Sequence, residues 1–373
     1  MDSYLGESIP KLGFGLMRLP MNGKEIDVEQ VKAMVDKFLA AGFKYFDTAY
    51  GYGDGASERA AKAALVDRYP RDSFFLATKL PAWMAKSEED AKQMFYTSLE
   101  RTGAGYFDFY LLHNLGTGRT EKFAEYGIWD FLAERKKEGL IKHLGFSMHA
   151  TAEELDKVLT EHPEMEFVQL QINYADWDDE KIQSRACYEV ARKHGKPVVI
   201  MEPVKGGSLS SLPEAAAAPL KAARPELSLA SWGVRYAASL EGLVTVLSGM
   251  SSLEQMENNL SYMKEFQPLN EQEYAAVAET VKVLNSMPTV PCTGCSYCTK
   301  GCPQSIGIPG VFKAYNLYKV YENIPSAKGS YAFAVKNGGK AGDCIECGQC
   351  ESVCPQSIHI IEELKNASKI LDN

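Results

Sequence analysis

Eight of the nine cysteines stand between Cys292 and Cys354, in two groups with the same spacing. Cys292, Cys295, Cys298 and Cys302 precede Pro303, and Cys344, Cys347, Cys350 and Cys354 precede Pro355, so C-x2-C-x2-C-x3-C-P occurs twice. Three thiolates on one tight loop can reach three corners of a 4Fe-4S cubane, while the fourth cysteine points away and serves the opposite cluster. This assigns one cluster to Cys292, Cys295, Cys298 and Cys354, and the other to Cys344, Cys347, Cys350 and Cys302. Two structural zinc sites are the competing use of C-x2-C pairs. Zinc takes two pairs per ion and leaves the third thiolate and both C-P steps without a role. A disulfide framework belongs to secreted chains, and Met1 to Pro10 carries no export signal. Cys187 stands apart in a helix-patterned stretch and reads as a buried small apolar residue.

A second constellation lies upstream. Asp47 ends one β-patterned run and opens Asp-Thr-Ala-Tyr-Gly-Tyr-Gly, which contains Tyr52; Lys79 ends the next run in Ala-Thr-Lys, and His113 the third in Leu-Leu-His. Together these residues suit carbonyl reduction, in which hydride reaches the carbon while an acid protonates the oxygen. Tyr52 is the natural acid. Its ordinary pKa of about 10 is high for donation at neutral pH, and a neighbouring ammonium would lower it by favouring phenolate. Lys79 is that ammonium, kept charged by Asp47, and His113 orients the carbonyl oxygen.

The elements that must hold these residues alternate between short apolar runs and longer amphipathic stretches. Strands are expected at Leu12-Met17, Lys44-Ala49, Phe74-Leu80, Tyr106-His113, Ile141-Met148, Phe167-Asn173, Pro197-Glu202 and Leu243-Ser248. Helices are expected at Val28-Ala41, Ser57-Tyr69, Glu88-Thr102, Glu121-Glu138, Thr151-Thr160 and Asp179-His194. Eight strands with crossover helices predict an α/β fold, a (β/α)8 TIM barrel. An open doubly wound sheet is the alternative, and the absence of G-x-G-x-x-G and of G-x-x-x-x-G-K-S/T favours the barrel. Gly51, Gly53 and Gly55 read as permitting the tight loop around Tyr52. Tyr50, Trp83 and Trp177 are candidates for lining a substrate pocket, and His143 and His149 have no assigned role.

A helix over Asn270-Ser286 follows the last strand, and the composition changes near Met287. The expected domains are a barrel over 1-287 and a small helix-rich ferredoxin-like domain over 288-373. In the latter, Gly310-Glu322 and Ile360-Leu371 carry apolar residues at helical spacing and should pack over the clusters. Ala215-Ala218 reads as surface.

Phe-Asp47-Thr-Ala-x-x-Tyr52-Gly, Lys79 and Leu-His113 resemble the tetrad of the aldo-keto reductase family, and the cysteine tail resembles the subgroup fused to a ferredoxin-type domain. The resemblance implies a barrel that binds NAD(P)H in extended form. It also implies positions for that cofactor: Ser147 and Gln169 for the carboxamide, and Val204, Lys205 and Gly206 for the pyrophosphate. Ser248, Gly249, Met250, Ser251, Gln255, Asn258 and Asn259 would hold the adenosine end, where a helix N-terminus suits phosphate. Three positions depart from the family pattern. Met148 replaces an Asn that follows the Ser, Ile172 replaces a common aromatic, and Gln255 replaces an Arg used on the 2'-phosphate, so NAD versus NADP stays open.

A net charge of -9 with no long basic run speaks against nucleic acid, and no apolar run approaches the ~18 residues of a membrane helix. The chain is therefore expected to be soluble and cytoplasmic. The leading functional expectation is NAD(P)H-dependent reduction of a small carbonyl substrate, with electrons exchanged through two 4Fe-4S clusters with a ferredoxin or flavodoxin partner. Because hydride carries two electrons and a cluster one, a barrel that binds a flavin is an alternative. A cluster domain that serves only structure or docking, through exposed aromatic helices, is another.

Overall fold

The computed structural model describes residues 5–6, 8–116, 118–180 and 182–373. Positions 1–4 and 7 of the N-terminus, and position 181 of the expected helix Asp179-His194, lie outside the described residues. Among the described residues, eight parallel strands close on themselves: β1 (Leu12–Gly15), β2 (Tyr45–Asp47), β3 (Phe75–Leu80), β4 (Phe107–Leu115), β5 (Ile141–Met148), β6 (Phe167–Gln171), β7 (Val198–Met201) and β8 (Leu243–Ser248). β8 returns beside β1, with Leu12 opposite Val246, so the sheet is a barrel with no open edge.

The two-residue alternation of each strand sorts its side chains into two cores. Tyr45, Ala77, Phe109, Leu111, Phe167, Val199 and Leu247 pack with one another inside the barrel. Their sequence neighbours Phe46, Leu76, Tyr110, Leu112, Val168 and Ile200 meet the surrounding helices, for example Met34, Val35 and Phe38 of the helix Val28–Ala40. Each buried ring of this kind contributes about 1.5–3 kcal/mol. A Cβ at Gly145 would lie 2.4 Å from the Phe167 carbonyl oxygen, so only glycine on β5 lets β6 come close enough for the Phe167 ring to fill the interior.

Several helices differ from expectation where the backbone turns left-handed. The stretch Glu121-Glu138 forms two helices, Thr120–Glu125 and Ile128–Lys137, because Gly127 between them adopts φ 58°. The helix expected from Asp179 begins at Ser184, after Gln183 at φ 57°. Ser57-Tyr69 forms an α-helix over Ala56–Ala61 and then widens into π-type turns over Lys62–Val66.

Beside β5, burial raises the Glu166 carboxyl, but hydrogen bonds from His143, Lys136 and the Leu144 amide reverse this and hold it at about 2, below the ordinary 4.5. A folded value below the unfolded one contributes stability that is present above about pH 4.5 and lost as pH falls through about 2. Glu166→Gln is therefore expected to lower stability at pH 6 by about 1–3 kcal/mol, allowing for its partial exposure, and far less below pH 2. Urea unfolding of both proteins across that pH range checks it.

By packing, the chain divides into two compact units, Met1–Val204 with Ser231–Leu269, and Lys205–Ala230 with Asn270–Asn373. The change of composition at Met287 does not coincide with this division, since the helix Glu271–Ser286 packs on Glu214–Ala223 within the second unit. There Thr280 donates to the Ala216 carbonyl at 3.0 Å and Arg224 pairs with Glu273 at 3.0 Å. Ala215-Ala218 is a surface tract only in part: Ala215 and Ala218 are exposed, while Ala216 and Ala217 are buried. Farther along, helices Ile308–Tyr321, Ile324–Ala334 and Ile360–Leu371 build a separate core from Val311, Phe312, Tyr331, Leu364 and Leu371. Phe312, Tyr315 and Tyr321 are buried, so the helix Gly310-Glu322 does not present an exposed aromatic face for docking. No helix among the described residues is long and apolar enough to cross a membrane.

Candidate functional site

Strand register brings the upstream constellation together. Asp47 of β2 stands opposite Ala77 of β3, and Lys79 lies two residues farther along. Lys79 stands opposite Leu111 of β4, and His113 lies two farther along; Leu111 stands opposite Gly145 of β5, and Ser147 lies two farther along, opposite Gln169 of β6. Steps of two keep every side chain on the interior face, and the stagger of a closed barrel collects them at its C-terminal end.

There Lys79 Nζ lies 2.5 Å from Asp47 Oδ1, 2.8 Å from the Thr48 carbonyl oxygen and 3.4 Å from the Tyr52 hydroxyl. The Tyr52 ring meets the His113 ring edge-on with centroids 5.8 Å apart, and Trp83 lies 5.4 Å from His113 on another side. Asp47 and Lys79 are both buried. Burial works against the Lys79 ammonium, but Asp47 and then Tyr52 more than compensate, so its pKa stands above the ordinary value. Burial also raises the Asp47 carboxyl, opposed by Lys79.

Tyr52 departs from the expected direction. Burial lifts its phenol above the usual value, and the nearby ammonium of Lys79 reduces this rise without reversing it. The cause is desolvation, which penalises the charged phenolate. His113 lies well below the usual imidazole range, first through burial and then through Lys79 and His149, so its ring is neutral at physiological pH.

The loop that carries Tyr52 is clamped by residues outside the sequence reading. Glu58 is fully buried and accepts from Thr78 at 2.8 Å and from Arg101 at 3.3 Å, while Arg101 also donates to the Tyr50 carbonyl oxygen at 3.1 Å. Gly55 adopts φ 80° with the Arg101 guanidinium 2.6 Å from where a Cβ would sit. Buried Glu and Arg placed on two helices give no periodic signal, so only the fold shows them converging. Tyr50 lies under Arg101 and its backbone N–H donates to the Lys79 carbonyl at 3.1 Å, Trp177 packs on Tyr188 and Tyr236, and the Trp83 ring packs against that of His113. His143 bonds to Glu166, and Cys187 is buried with its thiol pushed up to about 11 by burial.

Ser147 and Gln169 both reach the tetrad's end of the barrel. Ser147 Oγ accepts from the Asn114 backbone N–H at 2.8 Å, and Asn114 holds the left-handed φ of 55°. Asn114 Oδ1 and Gln169 Oε1 are both buried with no hydrogen-bond partner among the described residues. Met148 is a core residue. After β8, Ser248 and Met250 are buried; the Ser251 amide donates to Gln255 Oε1 at 2.8 Å, and Asn259 Nδ2 donates to the Gln255 carbonyl at 2.9 Å. Gln255 thus closes its own loop, ahead of a helix Leu253–Met263 capped by Ser252. Gly249 lies within this loop, Asn258 is partly buried on that helix, and Asn259 Oδ1 is a further buried acceptor without a partner among the described residues. Val204 ends the first compact unit, while Lys205 and Gly206, at φ 50° and 64°, begin the second.

In the second unit the cysteines surround two separate cavities. Cys292, Cys295, Cys298 and Cys354 line one, with Ile308 and Phe312 over it; Cys302, Cys344, Cys347 and Cys350 line the other, with Ile306 and Leu364. In each, three thiols come from one group and the fourth from the other. Four thiols around a largely apolar hollow fit a 4Fe-4S cluster, whose corners are spread apart.

Residues 11–282 match the model of the Aldo/keto reductase family, and residues 291–359 that of the 4Fe-4S dicluster domain. An aldo-keto reductase of Mycobacterium sp. (strain KMS) is 31% identical over 143 residues, 38% of this chain and 47% of the relative. The chain thus spans about half the length of several curated relatives it matches. An aldo-keto reductase of Mycolicibacterium vanbaalenii is 28% identical over 256 residues, 68% of this chain and 82% of that one. Among solved structures, the holo aldo-keto reductase of Bacillus halodurans superposes with a TM-score of 0.58 at 25% identity, over 74% of this chain and 93% of that one. An aldo-keto reductase of Klebsiella pneumoniae in complex with NADPH does so with a TM-score of 0.58 at 19% identity, over 72% and 90%. The family match takes in every strand of the barrel and well over half of the residues, and the chain belongs to the aldo/keto reductase family.

Proposed function

We propose that the protein reduces a carbonyl compound with NAD(P)H, and that its two cysteine quartets hold 4Fe-4S clusters. The observation that carries the reading is the Tyr52 hydroxyl within 3.4 Å of a buried, charged Lys79 and beside a neutral His113. The residues also fit the nucleotide. Gln169 Oε1 and Asn114 Oδ1 are buried acceptors without donors, flanking Ser147, and a carboxamide NH2 is a donor of the right kind.

A bound nicotinamide supplies hydride to the carbonyl carbon. Tyr52 gives its phenolic proton to the oxygen, and the phenolate left behind is stabilised by the Lys79 ammonium, which Asp47 holds in place. His113, being uncharged, donates a hydrogen bond to the same oxygen and orients it without competing as a proton source. The alcohol leaves, and water restores the Tyr52 proton. Asp47, Tyr52, Lys79 and His113 are the catalytic group in this proposal, with Ser147, Gln169 and Asn114 on the carboxamide.

Asn114 takes the place of the amide that Met148 removes. Asn114→Gly suits the left-handed backbone there and deletes only the side chain. It is expected to weaken NADPH and NADH binding about tenfold, the loss of one buried hydrogen bond. Fluorescence titration of both nucleotides measures this, and an unchanged affinity removes Asn114 from the nucleotide site.

A further inference from the structure

A cavity of about 690 Å³ opens beside Tyr52 and runs to Ser251, in the loop between β8 and the helix Leu253–Met263. Its charged lining is unbalanced: Arg18, Lys24 and Arg59 face Glu25 as the single carboxylate. The protein as a whole has a net charge of -9, so a local excess of cations runs against its composition. Among the described residues none of the three cations has a carboxylate partner; the one hydrogen bond of these side chains goes from Arg59 to the Asp54 backbone carbonyl, at 3.2 Å.

The wall carrying these cations is fixed. Ser57 Oγ donates to the Leu16 carbonyl at 2.8 Å and Ser251 Oγ to the Arg18 carbonyl at 2.7 Å, which pins the turn Leu16–Arg18. Lys24 sits in the two-residue turn of a short hairpin that pairs Met21 with Ile26 and Asn22 with Glu25. Between the cations the cavity is lined by Met17 and Met21, whose side chains are 62% and 57% exposed. Exposed methionines at a pocket wall supply a flexible apolar surface that adapts to a ligand body.

We infer that this cavity selects an anionic carbonyl substrate, with an apolar body against Met17 and Met21, a carboxylate or phosphate at Arg18, Lys24 and Arg59, and its carbonyl at Tyr52. The inference rests on the carbonyl-reduction reading and adds a substrate class to it. Unpaired guanidinium and ammonium groups around one hollow attract an anion, and guanidinium holds carboxylate or phosphate oxygens with paired donors.

The test uses the full-length, cluster-loaded protein with a matched pair of probes, 4-carboxybenzaldehyde and its neutral methyl ester. Wild type is expected to favour the acid by about tenfold in kcat/KM, through KM, with the preference shrinking as salt rises. In Arg18→Gln/Lys24→Gln/Arg59→Gln, three exposed positions, the ratio is expected to fall to about one. Equal use of both probes by wild type, or a ratio unchanged in the variant, overturns the inference.

Nucleotide phosphate is the other source of negative charge, so the Kd of NADPH is measured alongside. A loss of NADPH affinity in the variant with the aldehyde ratio preserved assigns the cations to the nucleotide and overturns the substrate assignment. Should neither aldehyde turn over, the carbonyl-reduction reading fails by itself, and calorimetric binding of the two aldehydes still decides: preference for the acid supports the anionic cavity, and equal or absent binding of both refutes it.

Discussion

Tyr52→Phe is expected to lower kcat/KM for carbonyl reduction by about 100- to 10,000-fold, the range in which a positioned acid contributes. It should do so while nucleotide affinity stays unchanged, since the phenol touches Lys79 and His113 and not the buried acceptors Gln169 and Asn114. The pH profile of the wild type follows from the same surroundings. The acid form of Tyr52 is the active one, and burial lifts its pKa above the ordinary 10.0, so activity should hold through pH 9 and fall only beyond pH 10. His113 lies well below 6.5 and should add no acid limb near neutrality. Steady-state rates from pH 6 to pH 10.5 check both limbs. An alkaline fall centred near pH 8 would show that the bound nucleotide, or another group, overrides desolvation.

The second large effect concerns the cysteines. Because each cavity takes three thiols from one group and one from the other, Cys354→Ala is expected to remove the cluster of Cys292, Cys295 and Cys298. About half of the iron should be lost, as one of two cubanes. Combining it with Cys292→Ala should cost no further iron, as both serve one cluster, whereas combining it with Cys344→Ala should remove both. Iron and sulfide analysis with EPR of the reduced protein reads the outcome. Loss of both clusters with Cys354→Ala/Cys292→Ala and of one with Cys354→Ala/Cys344→Ala would mean that each group keeps its own fourth ligand.

The strands were the most legible part of the chain. Ile141–Met148 and Leu243–Ser248 have the bounds that their runs of apolar and β-branched residues predict, and the other six shift by a few residues. A barrel strand is buried on both faces, so its sequence is apolar throughout and stands out from its flanks. Helices Glu214–Ala223, Leu229–Ala238, Leu253–Met263 and Ile324–Ala334 did not stand out. In the first, alanines with Pro213 ahead and Pro219 within mask a segment whose burial depends on a distant helix. That Asp47, Tyr52, Lys79 and His113 converge was readable because each ends or follows a strand, and the crossed lining of the cavities because the fourth cysteine of each run points away from its own group. Asn114, Glu58 and Arg101 were not. Their roles depend on a left-handed backbone, a buried carboxylate and a contact between residues far apart in sequence, none of which leaves a local pattern.

The crossed lining of the two cysteine cavities has a consequence for how the protein is made. Cys292 is translated long before Cys354, yet the two line the same hollow, and Cys302 waits in the same way for Cys344. On the proposed ligation neither quartet is complete until both groups have been made, so a chain that stops between them carries every barrel strand and no complete quartet.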